Sequence, residues 1–157
     1  MKIKSIAAAA AIAGAVLSAS SLGAFADEIS TYTSGGYAIG GTDPVAYFTQ
    51  NKPVQGKAEF TAQYDGVTWK FSSAENRDKF IAEPTKFAPQ YGGWCAVGTS
   101  FGTKLETQPE LWDIVDGKLY LNAHDGAVKR MQTRTSETII NANANWEDIR
   151  DVPPEKL

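Results

Sequence analysis

Apolar positions change their spacing along this chain, and each spacing predicts a different element. From Ile6 to Leu17 they run almost unbroken. Around Asp65-Gly66 and again around Asp116-Gly117 they fall in short runs rich in β-branched and aromatic residues: Phe60 to Tyr64 with Val67 to Phe71, and Trp112 to Val115 with Leu119 to Asn122. Asp-Gly suits a two-residue hairpin turn, in which both positions take positive φ. Two hairpins are therefore predicted, with their four strands forming one small antiparallel sheet. After Asn122, the residues Val128, Met131, Thr135, Ile139 and Ala142 recur at intervals of three or four, the spacing of a helix packed on one face. That helix is expected over 125–144, with Trp146 and Ile149 extending its apolar contact.

Turn and cap residues set the other boundaries. Asp43-Pro44 reads as an N-cap followed by proline at the first helical position, for a short helix ending near Gln50-Asn51. Ser72-Ser73-Ala74-Glu75 has the capping-box pattern, with Ser72 as the cap and a helix continuing to about Ala82. Pro84 stops it, and irregular turns follow to Tyr91. Residues 27–41 are rich in Ser, Thr and Gly without periodicity and read as a lead-in. The domain proper is expected over 42–152, with a tail from Pro153. The class is α+β: a small antiparallel sheet built from two hairpins, short helices and a longer C-terminal helix.

The amino-terminal run changes the picture of where this domain works. Lys2 and Lys4, the apolar stretch and Ala24-Phe25-Ala26 form the three zones of a cleaved export signal over residues 1–26. At about a dozen residues the run is short for a membrane span, which needs about 20. An exported product, periplasmic or secreted, is expected to begin at Asp27 and to hold about 131 residues, enough for one domain with a core of its own. Its balance of about 13 basic to 18 acidic side chains gives a net charge of about −5. That disfavours nucleic acid and anionic membranes as partners, and because nothing later in the sequence resembles a membrane span, no stable membrane insertion is expected.

Export also sharpens the meaning of Cys95, because disulfides form outside the cytoplasm and this chain has one cysteine. It lies in Tyr91-Gly92-Gly93-Trp94-Cys95, where paired glycines permit unusual backbone angles beside two aromatics and a thiol. Such a loop can present Cys95 to a ligand; equally, the glycines can make a tight turn while Cys95 fills a core gap. His124, beside Asp125, is the one histidine. It reads as an exposed turn residue, or as a partner of Cys95 in a thiolate–imidazole pair or half a metal site. Cys, His and Met131 are ligand types that suit copper or another soft transition metal, although Met131 lies on the apolar stripe. Phosphate-binding glycine loops, Cys-x-x-Cys, His-Glu-x-x-His and nucleophile-elbow motifs are absent from the sequence.

Asp43-Pro44-Val45-Ala46-Tyr47-Phe48, Tyr64 through Asn76, Phe80 through Pro84, Tyr91 through Ala96 and Val115 through Asn122 together resemble the YHS domain family, and within it an exported single-domain branch. The resemblance implies a small α+β domain in a family whose better-known members accompany heavy-metal transporters and oxygenases and bind metal through cysteines. Ala46, Ser72 and Asn76 stand at the matching positions here, and none can supply a thiolate. The expectation is a non-enzymatic binding domain for a metal or a small molecule, its contacts at Tyr91, Gly92, Gly93, Trp94 and Cys95, with Cys95 and His124 as the metal candidates. A thiol-dependent enzyme or redox protein using Cys95 is the alternative, as is an accessory subunit of a periplasmic complex.

Overall fold

Both Asp-Gly turns close hairpins, since Asp65 and Gly66 have φ of 49° and 72°, and Asp116 and Gly117 have 50° and 73°. The computed structural model describes residues 29–157; the expected export signal lies outside the described residues. Within them a third hairpin precedes the other two. Strands β1 (Thr33–Ser34) and β2 (Tyr37–Ala38) turn at Gly35 and Gly36. The expected lead-in is thus part of the fold, and Tyr32, Ala38 and Ile39 are buried in its core. Lacking periodicity, so short a hairpin leaves only the Gly-Gly pair as a signal.

Helix α1 (Ala46–Thr49) follows, then the hairpin of β3 (Lys57–Tyr64) and β4 (Val67–Phe71). Helices α2 (Ala74–Ala82), α3 (Pro84–Phe87) and α4 (Ala96–Ser100) lead to the hairpin of β5 (Gln108–Val115) and β6 (Lys118–Asn122). The chain closes with α5 (Asp125–Thr133) and α6 (Thr135–Ile149). This is the α+β class expected. The hairpins are not joined into one sheet, however: each is a separate antiparallel pair.

Side-chain packing replaces edge pairing between them. Successive residues of a strand point to opposite faces, and β6 is buried on both: Leu119 and Leu121 enter a cluster with Tyr47, Trp69, Phe71 and Phe80, while Tyr120 enters a second cluster with Tyr91, Cys95, Met131 and Ala142. One strand therefore serves two cores.

The expected single C-terminal helix is broken at Arg134, whose φ of −134° and ψ of 41° are not helical. Hydroxyls explain the break. Thr133 donates to the Lys129 carbonyl and Thr135 to that of Met131 at 2.7 Å, offering the backbone alternatives to regular helix bonding. The buried stripe resumes on α6 at Thr138, Ala142 and Ile149. Among the described residues no helix is long and apolar enough to cross a membrane.

The two ends of the described chain are tied by Lys104. Its ammonium, buried, donates to the carbonyls of Ile29 (2.8 Å), Arg150 (2.6 Å) and Val152 (2.8 Å), and lies 5.7 and 5.5 Å from the ring centres of Trp94 and Trp146. Burial pushes its pKa down to about 8, against the smaller opposing effect of Asp151.

Candidate functional site

Asp43 is wholly buried, and its carboxylate accepts five hydrogen bonds. Oδ1 takes the amides of Val45 (2.9 Å) and Ala46 (3.3 Å), capping α1. Oδ2 takes the Ser72 amide (2.8 Å), the Ser72 hydroxyl (2.7 Å) and the Asn76 side-chain amide (2.8 Å). The cap of α2 is Ser73, which receives the Asn76 N–H at 3.1 Å, rather than Ser72. Glu75 pairs outward with Lys79 at 2.8 Å instead of reaching back. Ser72 was one residue out of place as a cap because the buried carboxylate claims both its amide and its hydroxyl.

The three positions that the family resemblance would fill with metal-binding cysteines thus meet at one carboxylate. Ala46 has no side-chain ligand atom, and the polar groups of Ser72 and Asn76 are spent on Asp43. These residues do not fit a metal. Among the described residues there is no group of three or more His, Cys, Asp or Glu side chains that could hold one.

The Tyr91–Cys95 loop is bound into the core rather than spread toward solvent. Tyr91 and Gly92 adopt φ of 55° and 60°, and Gly93 adopts 84°. Close approach explains the glycines: a Cβ on Gly92 would lie 1.9 Å from the Ser30 carbonyl oxygen, and one on Gly93 would lie 2.4 Å from Ile39 Cγ2. The Gly92 carbonyl accepts the Tyr32 amide at 2.9 Å, and that of Gly93 accepts the Thr107 hydroxyl at 2.8 Å. The Tyr91 hydroxyl donates to Asn143 at 2.8 Å, and burial raises its pKa. Trp94 is buried with its ring 5.2 Å from that of Tyr32.

Two clefts divide what remains of the loop. Tyr91 and Gly92 reach a polar one of ≈ 350 Å³ with Asp65, Gln90 and Lys118 on its walls. Cys95 reaches another of ≈ 350 Å³, whose walls include Val97, Phe101, Leu105, His124 and Arg130. This second cleft brings Cys95 and His124 together, though without a hydrogen bond between them. Cys95 is fully buried, and its sulfur accepts the Gly98 N–H at 3.4 Å, capping α4. His124 is exposed and caps α5, Nδ1 accepting the Ala127 N–H at 3.2 Å. In the neutral ring this places the proton on Nε2, leaving no acceptor for a thiol proton.

The cleft's walls are mostly apolar. Phe101 is 67% exposed and Leu105 39%. Two glycines let the walls close in: a Cβ on Gly98 would lie 3.1 Å from Leu105 Cγ, and one on Gly126 3.2 Å from His124 Nδ1. Arg130 lies over the Phe101 ring at 4.8 Å. One of its terminal nitrogens donates to Glu137 at 3.1 Å, while its Nε is buried without a partner. Glu137 also receives Arg134 at 3.1 Å, and these guanidiniums, the hydrogen bond from Arg134 foremost, lower its pKa.

Sequence reasoning missed Asp43 as more than a cap, and missed Arg130, Phe101 and Leu105 altogether. The only early signal for Arg130 was its place one residue before Met131 on the last amphipathic stretch. Nothing in the sequence announced that the Phe101–Leu105 turn would fold over α5.

Comparison with known proteins agrees with the family read from the motifs, and restricts it to part of the chain. No curated protein and no solved structure matches it. The model of the YHS domain matches residues 45–91, which run from the start of α1 to Tyr91 and include Ala46, Ser72 and Asn76. Cys95, Arg130 and His124 lie beyond the match. Residues 45–91 of this chain are thus similar to the YHS domain.

Proposed function

We propose that this protein is a non-enzymatic, exported binding domain whose ligand is a small organic molecule held in the cleft between Cys95, Leu105 and Arg130. The observation that carries the reading is that cleft: ≈ 350 Å³ of space with a largely apolar wall and few polar groups at its margin, the usual make-up of a small-molecule site. YHS domains are associated with metal binding, but the positions that would supply the metal ligands are closed around Asp43. Cys95 and His124 provide two ligand atoms at most, and both are engaged as helix caps. The same engagement speaks against thiol catalysis.

The test is a titration of the purified protein with neutral apolar probes such as indole, following the methyl resonances of Val97 and Leu105. The reading expects saturable shifts there, abolished in Leu105→Trp, in which the larger ring fills the cleft. Shifts that are absent, or unaffected by Leu105→Trp, count against it. In parallel, Cu(I) and Zn(II) should bind wild type and Cys95→Ser alike, with no tight site in either. A tight site lost in Cys95→Ser would return the loop to the centre of the function.

A further inference from the structure

The cleft has a chemical polarity that narrows its ligand. Its volume of ≈ 350 Å³ accommodates on the order of ten non-hydrogen atoms, taking roughly 30 Å³ for each water-sized group. Val97, Phe101 and Leu105 give it an apolar wall, and Arg130 lies against that wall, its guanidinium 4.8 Å from the Phe101 ring centre and a terminal nitrogen held by Glu137.

Charge favours an anionic ligand beside Arg130, because Arg130 and Arg134 both pair with Glu137, which leaves one positive charge of this trio uncompensated. His124, which also lines the cleft, has its Nδ1 occupied by the Ala127 amide, so in the neutral ring its Nε2 is a donor. Phe101, though 67% exposed, is held under the guanidinium at 4.8 Å, which fixes the plane of the arginine over the apolar wall.

We infer that the cleft selects small monocarboxylates with an apolar body, the carboxylate accepting from the Arg130 guanidinium and the body lying against Phe101, Val97 and Leu105. The inference rests on the cleft being the ligand site and adds the ligand's charge and orientation. A planar guanidinium suits a carboxylate better than a lysine ammonium would, because its donors are arranged as a fork.

The experiment pairs acids with neutral compounds of the same size: hexanoate against hexanol, and phenylacetate against 2-phenylethanol, titrated into wild type, Arg130→Met and Arg130→Lys by NMR. The expected result is acid binding on the order of tenfold tighter than alcohol binding in wild type, the value of a charge-assisted hydrogen bond at a partly open site. Arg130→Met should bring the acids down to the affinity of the alcohols, leaving the alcohols unchanged, and Arg130→Lys should restore only part of the difference. Equal affinity of acid and alcohol in wild type, or an acid preference that survives Arg130→Met, overturns the charge assignment while leaving the cleft as a binding site. Failure of all four probes to bind overturns the cleft itself. A concentration-dependent dimer that broadens Phe101 and excludes the probes overturns both, giving the apolar wall to a second copy of the chain.

Discussion

The Asp43 node and the Cys95–Arg130 cleft are both built where short helices begin, and they differ in what is left over. At Asp43 a buried carboxylate has five donors around it and no space. At the cleft two guanidiniums pair with one carboxylate, and ≈ 350 Å³ of space lies beside the Arg130 side chain. The first arrangement is complete without a ligand and so acts as a cross-link between α1 and the start of α2. The second leaves one guanidinium charge unmatched beside open space, the position proposed for the ligand. The residues matched by the YHS domain model surround the first, while most of the second lies beyond the matched span. The similarity to the YHS domain therefore bears on the framework around Asp43 and not on the cleft.

The hardest test of that contrast is Asp43→Ala. Removing a buried carboxylate strands the amides of Val45, Ala46 and Ser72 and the side chain of Asn76, and breaking one member of such a buried network costs about 3–5 kcal/mol. Urea denaturation should record that loss, and Asp43→Asn, which keeps one oxygen acceptor, should lie between the variant and wild type. A loss below about 1 kcal/mol would mean that the node is not a structural cross-link.

Lys104 gives a weaker version of the same kind of site, one whose charge can be removed by pH. Lys104→Met deletes the donors to Ile29, Arg150 and Val152, of which the last two lie near the surface and can hydrate; the expected cost at pH 7 is about 1–2 kcal/mol. Because burial lowers the folded pKa to about 8, below the unfolded value, the unfolded chain binds more protons between those two values. Wild-type stability should therefore rise with pH from about 8 upward, and the gap to Lys104→Met should widen. A gap that narrows with rising pH would show that the carbonyls and the two indoles hold the ammonium charged more strongly than burial opposes it.

How much of this could be read in advance follows the range of the forces involved. Asp65-Gly66 and Asp116-Gly117 announced their hairpins because a positive-φ pair is a local requirement, and Pro84 announced the end of α2 for the same reason. The separation of the hairpins was not legible, since alternation tells which residues face inward but not whether the edges of two hairpins meet. Leu119, Tyr120 and Leu121 do form a run buried on both faces, a pattern more consistent with a strand between two cores than with one on a one-sided sheet. The break at Arg134 escaped because the Val128–Ala142 spacing fits a continuous helix and the competing Thr133 and Thr135 hydroxyls are a second-order signal. Asp43, Ser72 and Asn76 converge from 29 and 33 residues apart, which no local pattern records. The cleft needed a turn, Phe101 to Leu105, to pack against a helix begun at Asp125.

Cys95 lies between the two kinds of site, since its sulfur is used as a cap and the residue, though fully buried, borders the cleft. Cys95→Ala loses a weak N–H to sulfur contact and a small buried side chain, for an expected cost of about 1 kcal/mol, and it should leave probe binding within about twofold. Alkylation of the native protein should be slow and should accelerate on denaturation, because the residue is fully buried. Rapid modification of the folded protein would show that the cleft opens to its floor and would revive a role for the thiol.

The smallest stability effect belongs to the residue with the largest expected effect on binding. Arg130→Met removes an ion pair with a half-exposed Glu137, and pairs of that kind contribute about 0–1 kcal/mol. Its contact with the exposed Phe101 ring adds an effect of similar size. Thermal unfolding of Arg130→Met should therefore stay within about 1 kcal/mol of wild type, while the preference for acid over alcohol disappears. Asp43→Ala should behave in the opposite sense, losing stability but, under conditions where it remains folded, keeping the acid preference. If Arg130→Met were instead strongly destabilising, the guanidinium would have to be a cross-link like Asp43, and the asymmetry between a filled and an unfilled polar site would no longer mark where a ligand binds.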